Sequence, residues 1–275
     1  MTDRNQPDVL LSARLSVQYG GKPAILRDVA LEIRRREVLG LIGQSGSGKS
    51  TIAMAILALL DRKAARVEGA IDFEGCNLLA RSERELRAER GKNIALVLQS
   101  PLSSLNPALR IRTQLKEAWR AHAAGSNADC ERAIATALEN VSLPSSDEFL
   151  RKYPSQMSVG QAQRVLIAMA VMHLPALLIA DEATSALDVI TQSEILTLFR
   201  ELNRNSGMSI LYISHDLASV AGICDRVAIL HGGQIVESGT TNQVLTNPRH
   251  EYTQRLMAAL PKMPHAAMAS KAAAL

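Results

Sequence analysis

Between Gly43 and Ser50 the chain reads GQSGSGKS. The six residues before it, EVLGLI, are a short continuous apolar run with the length of a buried strand. The ten after it, TIAMAILALL, are apolar on every helical face, as a buried helix requires. Strand, glycine loop and buried helix in that order predict the opening of an α/β core. The loop also satisfies the spacing G-x-x-x-x-G-K-[ST]. Glycines let backbone N–H groups turn inward around a phosphate chain, and the helix N-terminus favours negative charge. Lys49 is placed to reach the β and γ phosphates, and Ser50 to ligate Mg²⁺. Gly43, Gln44, Ser45, Gly46, Ser47, Gly48, Lys49, Ser50 and Thr51 are therefore the first candidate binding residues, with a nucleotide and Mg²⁺ as ligands.

The second half of such a site is ALLIADEATSALD, from Ala176 to Asp188. An apolar strand ending in Asp181 sets a carboxylate at the C-terminal edge of a sheet, beside the phosphate loop, where it can hold Mg²⁺. Glu182 follows at once, placed to orient or deprotonate an attacking water.

Outward from these two stretches, the pattern from Leu10 to Val38 alternates in short pieces broken at Gly20-Gly21 and an Arg cluster, which predicts antiparallel strands. VEGAIDFEG returns to strand, and Ser82 with Glu85 forms a capping box ahead of a charged helix. After the strand NIALVLQ, the turn-rich SPLSSLNPALRI leads into helical patterns bearing Trp119, Leu138 and Val141. A helix from about Gly160, the strand ALLIA, a helix in TQSEILTLFRELN, the strand SILYIS and strands around RVAILHGGQIVESG then resume the core. The expected division is a core at 1–99 and 160–262, an inserted helical subdomain at 100–159 and a flexible tail at 263–275.

Composition narrows the function classes. At 275 residues and 47% hydrophobic content the chain is long enough to bury a substantial core. The net charge of +4 comes from interleaved acids and bases, as in RSERELRAER, which is a solvated helix surface rather than a nucleic-acid patch. Aromatics at 3% are too sparse for a base-stacking platform. Cys76, Cys130 and Cys224 form no CxxC pair, which disfavours a disulfide framework or a zinc site and fits a reducing compartment. The N-terminal stretch lacks an apolar signal core, and the longest apolar run, Val165 to Ala180, is broken by His173 and Pro175, so a membrane span is not expected.

With these pieces in place, residues 10 to 260 resemble the ATP-binding cassette (ABC) ATPases. The resemblance implies a P-loop NTPase (RecA-like) core of mostly parallel sheet, an antiparallel β subdomain and an inserted α-helical subdomain. It implies further roles. Tyr19, 24 residues before Gly43, matches the adenine-stacking aromatic. Gln99 matches the glutamine that senses Mg²⁺ and water. Ser185, Ala186, Leu187 and Asp188 match the loop that crosses a dimer interface, and His215 the switch histidine that contacts the γ phosphate. MSVGQAQR is similar to the family signature, with Ser158, Gly160 and Gln161 matching it and Met157 and Val159 departing from it. In this family two cassettes pack head to tail, and each signature touches the ATP held by the other.

QSPLSSLNPALRI and NPRHEYTQRLMAALP are similar to segments of dipeptide, oligopeptide and nickel importer ATPases. The absence of a cysteine after Cys224, where longer oligopeptide members carry one, leans toward nickel or metal-chelate import. The implied partners are a second, nonidentical ATPase, two membrane permease subunits and, indirectly, an extracytoplasmic substrate-binding protein, with no nucleic acid. The implied location is peripheral, on the cytoplasmic face of the inner membrane. The rival class is a soluble cassette acting in repair or translation. The 59 positions from Gln99 to Ser158 leave no room for the long coiled coil of repair types, and a single cassette does not match the two-cassette ribosomal types. A regulatory nucleotide-binding module without turnover is disfavoured by the presence of Glu182 and His215.

Overall fold

A computed structural model describes residues 9–259. Three strands, β1 (Val9–Tyr19), β2 (Leu26–Arg34) and β3 (Val38–Ile42), lead through the glycine loop into α1 (Lys49–Ile56). Next come β4 (Ala65–Phe73), β5 (Cys76–Asn77), α2 (Glu83–Glu89) and β6 (Ile94–Val97). A helical stretch holds α3 (Pro101–Ser104), α4 (Ile111–Arg120), α5 (Asn127–Asn140), α6 (Asp147–Leu150) and α7 (Val159–Val171). The rest of the chain supplies β7 (Leu177–Asp181), α8 (Val189–Ser206), β8 (Ser209–Ser214), α9 (Leu217–Ile223), β9 (Arg226–His231), β10 (Gln234–Thr240), α10 (Thr241–Thr246) and α11 (Glu251–Ala258).

The strands form two sheets. The first is antiparallel, in the order β2-β1-β4-β5. The second, ordered β10-β9-β3-β8-β7-β6, is parallel from β9 to β6, and β10 joins its edge antiparallel as a hairpin with β9. β3, β7 and β8 are buried along their whole length, because layers cover both faces of the parallel sheet. Side chains of one strand point alternately up and down. Leu39, Leu41, Ile179, Leu211 and Ile213 enter one apolar cluster with α1 and the antiparallel sheet. Val38, Ile42, Leu178, Ile210 and Tyr212 enter the other, with Leu115, Leu138, Val165, Ile195 and Phe199 from the helices. The helical stretch from α4 to α7 thus shares a core with one face of the sheet.

The parallel arrangement puts the C-terminal ends of β3, β6, β7 and β8 on one edge, where ligands bind in open α/β sheets. There the chain leaves toward Gly43, Gln99, Glu182 and His215.

Several elements differ from the sequence reading. α1 stops at Ile56, short of the apolar run's end at Leu60, and Ala58 is left-handed at φ 49°. The Arg90 guanidinium donates to the carbonyls of Leu57 at 2.7 Å and Ala58 at 2.9 Å, capping the helix end with a charge suited to it. α9, α10 and α11 were not anticipated. α11 docks by a stack of Tyr252 on His231 at 3.8 Å between ring centroids, while the Glu237 carboxylate accepts the backbone N–H groups of Arg249 and His250. The predicted tail at 263–275 lies outside the described residues, as does the core boundary at 262. Among the described residues no helix is long and apolar enough to cross a membrane.

Candidate functional site

Gly48 occupies the N-cap of α1 with φ 105°, a backbone conformation that strains any residue with a Cβ. That twist turns the chain from the loop into the helix and leaves the first helical N–H groups facing outward. Lys49 follows, only 5% exposed, and its ammonium donates to the carbonyls of Gly43 at 2.8 Å and Gln44 at 3.1 Å. The loop therefore holds its own cation curled against it, in position to turn toward phosphate oxygens.

Asp181 ends β7 and is buried beside this loop. Burial pushes its carboxyl above the usual carboxylate range, and the neighbouring Glu182 charge adds to that, while the Ser50 hydroxyl bonded to it and the Lys49 ammonium oppose it. Its Oδ1 is buried without a hydrogen-bond partner among the described residues. A buried acid oxygen left unpartnered, next to a serine hydroxyl, is a donor set that fits Mg²⁺: two hard oxygens on one side, with room for waters and phosphate on the other.

Glu182 adopts φ 50°, a left-handed conformation that costs a non-glycine residue about 1–3 kcal/mol. The turn is held by its N–H donating to Ile213 O at 2.9 Å and by its carbonyl accepting the Ser185 N–H at 3.1 Å and hydroxyl at 3.0 Å. Its carboxylate then lies between two cationic or potentially cationic groups, Lys49 Nζ at 3.7 Å and His215 Nδ1 at 3.4 Å. Behind it runs a buried hydroxyl chain: Thr184 Oγ1 and Tyr212 OH at 2.9 Å, then Tyr212 OH donating to Ser219 Oγ at 3.2 Å. Gln192 Nε2 donates to Asp216 Oδ2 at 3.0 Å, tying the start of α8 to the residue after His215. Thr184, Tyr212, Ser219 and Gln192 were not picked out from sequence, because each is ordinary in a strand or helix until the fold aligns them.

A cleft of about 480 Å³ gathers Ser45, Gly46, Gly48, Lys49, Ser50, Thr51, Gln99, Asp181 and Glu182, and adds Ile25, which the sequence did not flag. His215 reaches this group through Glu182. Tyr19 does not line the cleft; it ends β1 opposite Ala65 and packs half-buried on the antiparallel-sheet cluster. The MSVGQAQR segment lies outside the cleft, with Ser158 and Val159 exposed and Met157, Ala162 and Gln163 buried. Ser158 caps α7, its hydroxyl accepting the Gln161 N–H at 3.1 Å while Gln161 Oε1 accepts the Ser158 N–H at 3.3 Å. Val159 is the first helical residue, and its φ is not positive. Asp188 caps α8, and bonds from the Thr191 hydroxyl and backbone N–H hold its carboxyl below the usual range.

A family model described as ABC transporter matches residues 26–185, more than half of the chain and every residue lining the cleft except Ile25. The chain belongs to the ABC transporter family. This ABC ATPase shares 40% identity over 246 residues with the oligopeptide transport ATP-binding protein OppD of Bacillus subtilis, covering 89% of this chain and 69% of that one. With the peptidoglycan transport ATP-binding protein YejF of Agrobacterium fabrum it shares 43% over 266 residues, or 95% of this chain and 49% of that one. The cassette therefore spans about half the length of that relative. Among solved structures, cbiO1 of Clostridium perfringens superimposes with a TM-score of 0.75 at 25% identity, covering 92% of this chain and 96% of that one. The dimeric cassette MJ0796 bound to ADP and phosphate gives 0.72 at 26%, covering 85% and 98%. The fold of the ABC ATPase is thus a P-loop NTPase cassette.

Proposed function

We propose that this ABC ATPase hydrolyses ATP to drive import of a peptide-class solute through a membrane complex. The observation behind this reading is the convergence of Lys49, Ser50, Gln99, Asp181 and Glu182 in one cleft, with His215 Nδ1 3.4 Å from the Glu182 carboxylate. Lys49 leaves the loop carbonyls to meet the β and γ phosphates. Asp181 and Ser50 would hold Mg²⁺, which would supply positive charge against the phosphate oxygens. Glu182 accepts a proton from the attacking water, His215 keeps that carboxylate oriented toward the γ phosphate, and Gln99 reports occupancy of the cleft to the helical segment at 100–159. Tyr19 lies outside the cleft, so its part would be to stack on an adenine that extends beyond it. Ser158, Gly160, Gln161 and Asp188 face a second cassette, so that Val159 bears on the ATP held by the partner rather than on that held by Lys49.

The partners in this reading are a second, nonidentical ATPase, two permease subunits and a substrate-binding protein, with the cassette on the inner face of the cell membrane. The relatives described above carry oligopeptide and peptidoglycan names, which favours a peptide-class cargo. The lean toward nickel rested on the absence of a cysteine after Cys224 and gains no support from them. Purifying the complex with its membrane subunits and adding candidate solutes tests the cargo. Peptides should raise ATP turnover, whereas stimulation by nickel or nickel chelates alone would overturn the assignment.

A further inference from the structure

Tyr212 lies in β8, an inner strand of the parallel sheet, and is fully buried. Alternation along the strand puts it on the same face as Ser214, where its ring stands 6.2 Å from that of Phe199. Phenylalanine would fill so apolar a place, and a buried phenol hydroxyl is costly unless it is partnered. Its partners form a one-way chain. The Tyr212 hydroxyl donates to Ser219 Oγ at 3.2 Å, and the Ser219 hydroxyl donates in turn to the Asp216 carbonyl at 2.8 Å. A hydroxyl has one proton to give, so the Thr184 hydroxyl, 2.9 Å from that of Tyr212, is the donor between those two. Burial pushes the phenol above the ordinary tyrosine range, which keeps its proton in place.

The two ends of this chain land beside the two groups that meet in the cleft. Thr184 is two residues beyond Glu182, and its buried hydroxyl bonds to no other group among the described residues. Asp216 directly follows His215. Its N–H donates to Ser214 Oγ at 3.0 Å, and its carboxylate accepts the Ser219 N–H at 3.2 Å and Gln192 Nε2 at 3.0 Å. The residues on either side of His215 are therefore tied to each other and, through Asp216, to Ser219. The His215 side chain is itself 59% exposed, so its orientation depends on the turn that carries it. In front, Glu182 Oε1 lies 3.4 Å from His215 Nδ1; behind, the hydroxyl chain joins the same two turns.

We propose that Tyr212 is a positioning residue for ATP hydrolysis: its hydroxyl couples the turn that carries Glu182 to the turn that carries His215, and so aligns the acid with the histidine. The inference rests on the reading of Glu182 as the base. Neither Tyr212 nor Thr184 lines the cleft, so loss of either hydroxyl should act on the hydrolytic step and spare ATP binding.

Tyr212→Phe and Thr184→Val each remove one hydroxyl at nearly constant shape, whereas Thr184→Ser keeps it. The full chain is compared with these three variants, with the Tyr212→Phe/Thr184→Val double variant, and with Glu182→Gln with and without Tyr212→Phe, by kcat and KM for ATP. Tyr212→Phe and Thr184→Val should each lower kcat about tenfold with KM little changed, and Thr184→Ser should stay within about twofold of the parent. The double variant should lose no more than either single variant, since one broken link opens the chain. In the Glu182→Gln chain, Tyr212→Phe should leave the residual rate within about twofold. Unchanged kcat in Tyr212→Phe overturns the proposal. So do losses that multiply in the double variant, a loss confined to KM, or a further fall of about tenfold in the Glu182→Gln background. With Glu182→Gln itself slow, each of these leaves the reading of the base standing. Parent-rate hydrolysis by Glu182→Gln overturns both. Should Tyr212→Phe fail to fold, Thr184→Val against Thr184→Ser carries the test, and equal kcat in those two contradicts the proposal.

Discussion

Lys49 Nζ stands 3.7 Å from Glu182 Oε1, with the lysine almost fully buried and the glutamate one-fifth exposed. The cation of the phosphate loop and the acid beyond β7 therefore share one cleft. Lys49→Ala removes the one side-chain cation of the loop. Affinity for ATP should fall by about a hundredfold or more, ~2.8 kcal/mol, as read by calorimetric titration. Unchanged affinity would contradict the placement of the phosphates.

Asp181 makes the resting site pH-sensitive. Burial raises its carboxyl pKa in the folded chain, so between the unfolded and folded values the folded state binds more protons, and stability falls as pH rises through that window. The stabilising protonated form is fully present below the unfolded value and lost above the folded one. Asp181→Asn should flatten this slope upward from the usual carboxylate range and leave the nucleotide-free chain at least as stable at neutral pH, while weakening Mg²⁺-dependent ATP binding. Parallel urea midpoints for the two chains across the acid range would contradict it.

How much of this was legible in the sequence depends on how local the cause is. GQSGSGKS and the apolar strand into Asp181 state their geometry within a few residues, as does the capping box of Ser82 and Glu85, whose bonds form at 3.4 Å and 2.8 Å. The end of α1 was not legible, since Arg90 caps it from 33 positions away. α9, of seven residues, is too short for a periodic signal. α11 is held by Tyr252 stacking on His231, a contact no spacing rule contains. The left-handed turn at Glu182 was hidden too, because its cause is the hydrogen bond across to Ile213 in β8.

Val159 departs from the glycine of the family signature, yet it takes up the first helical turn with 38% of its surface exposed and without positive φ. Its methyls are not strained against their own chain. Val159→Gly should therefore alter ATP turnover by less than about tenfold, ~1.4 kcal/mol in barrier. A rise of several hundredfold would mean that the valine obstructs the partner's nucleotide and leaves the assembly running on one active site.

The central claim is that Glu182 takes the proton from water in this cleft. Its left-handed backbone and the bonds that hold it set the carboxylate between His215 at 3.4 Å and the Lys49 ammonium at 3.7 Å. The most direct measurement is ATP binding and single-turnover hydrolysis by Glu182→Gln in parallel. An amide cannot accept the proton, so hydrolysis should fall by about 10²–10⁴-fold while ATP affinity stays near that of the parent chain. Hydrolysis at the parent rate in a chain that binds ATP normally would contradict the account.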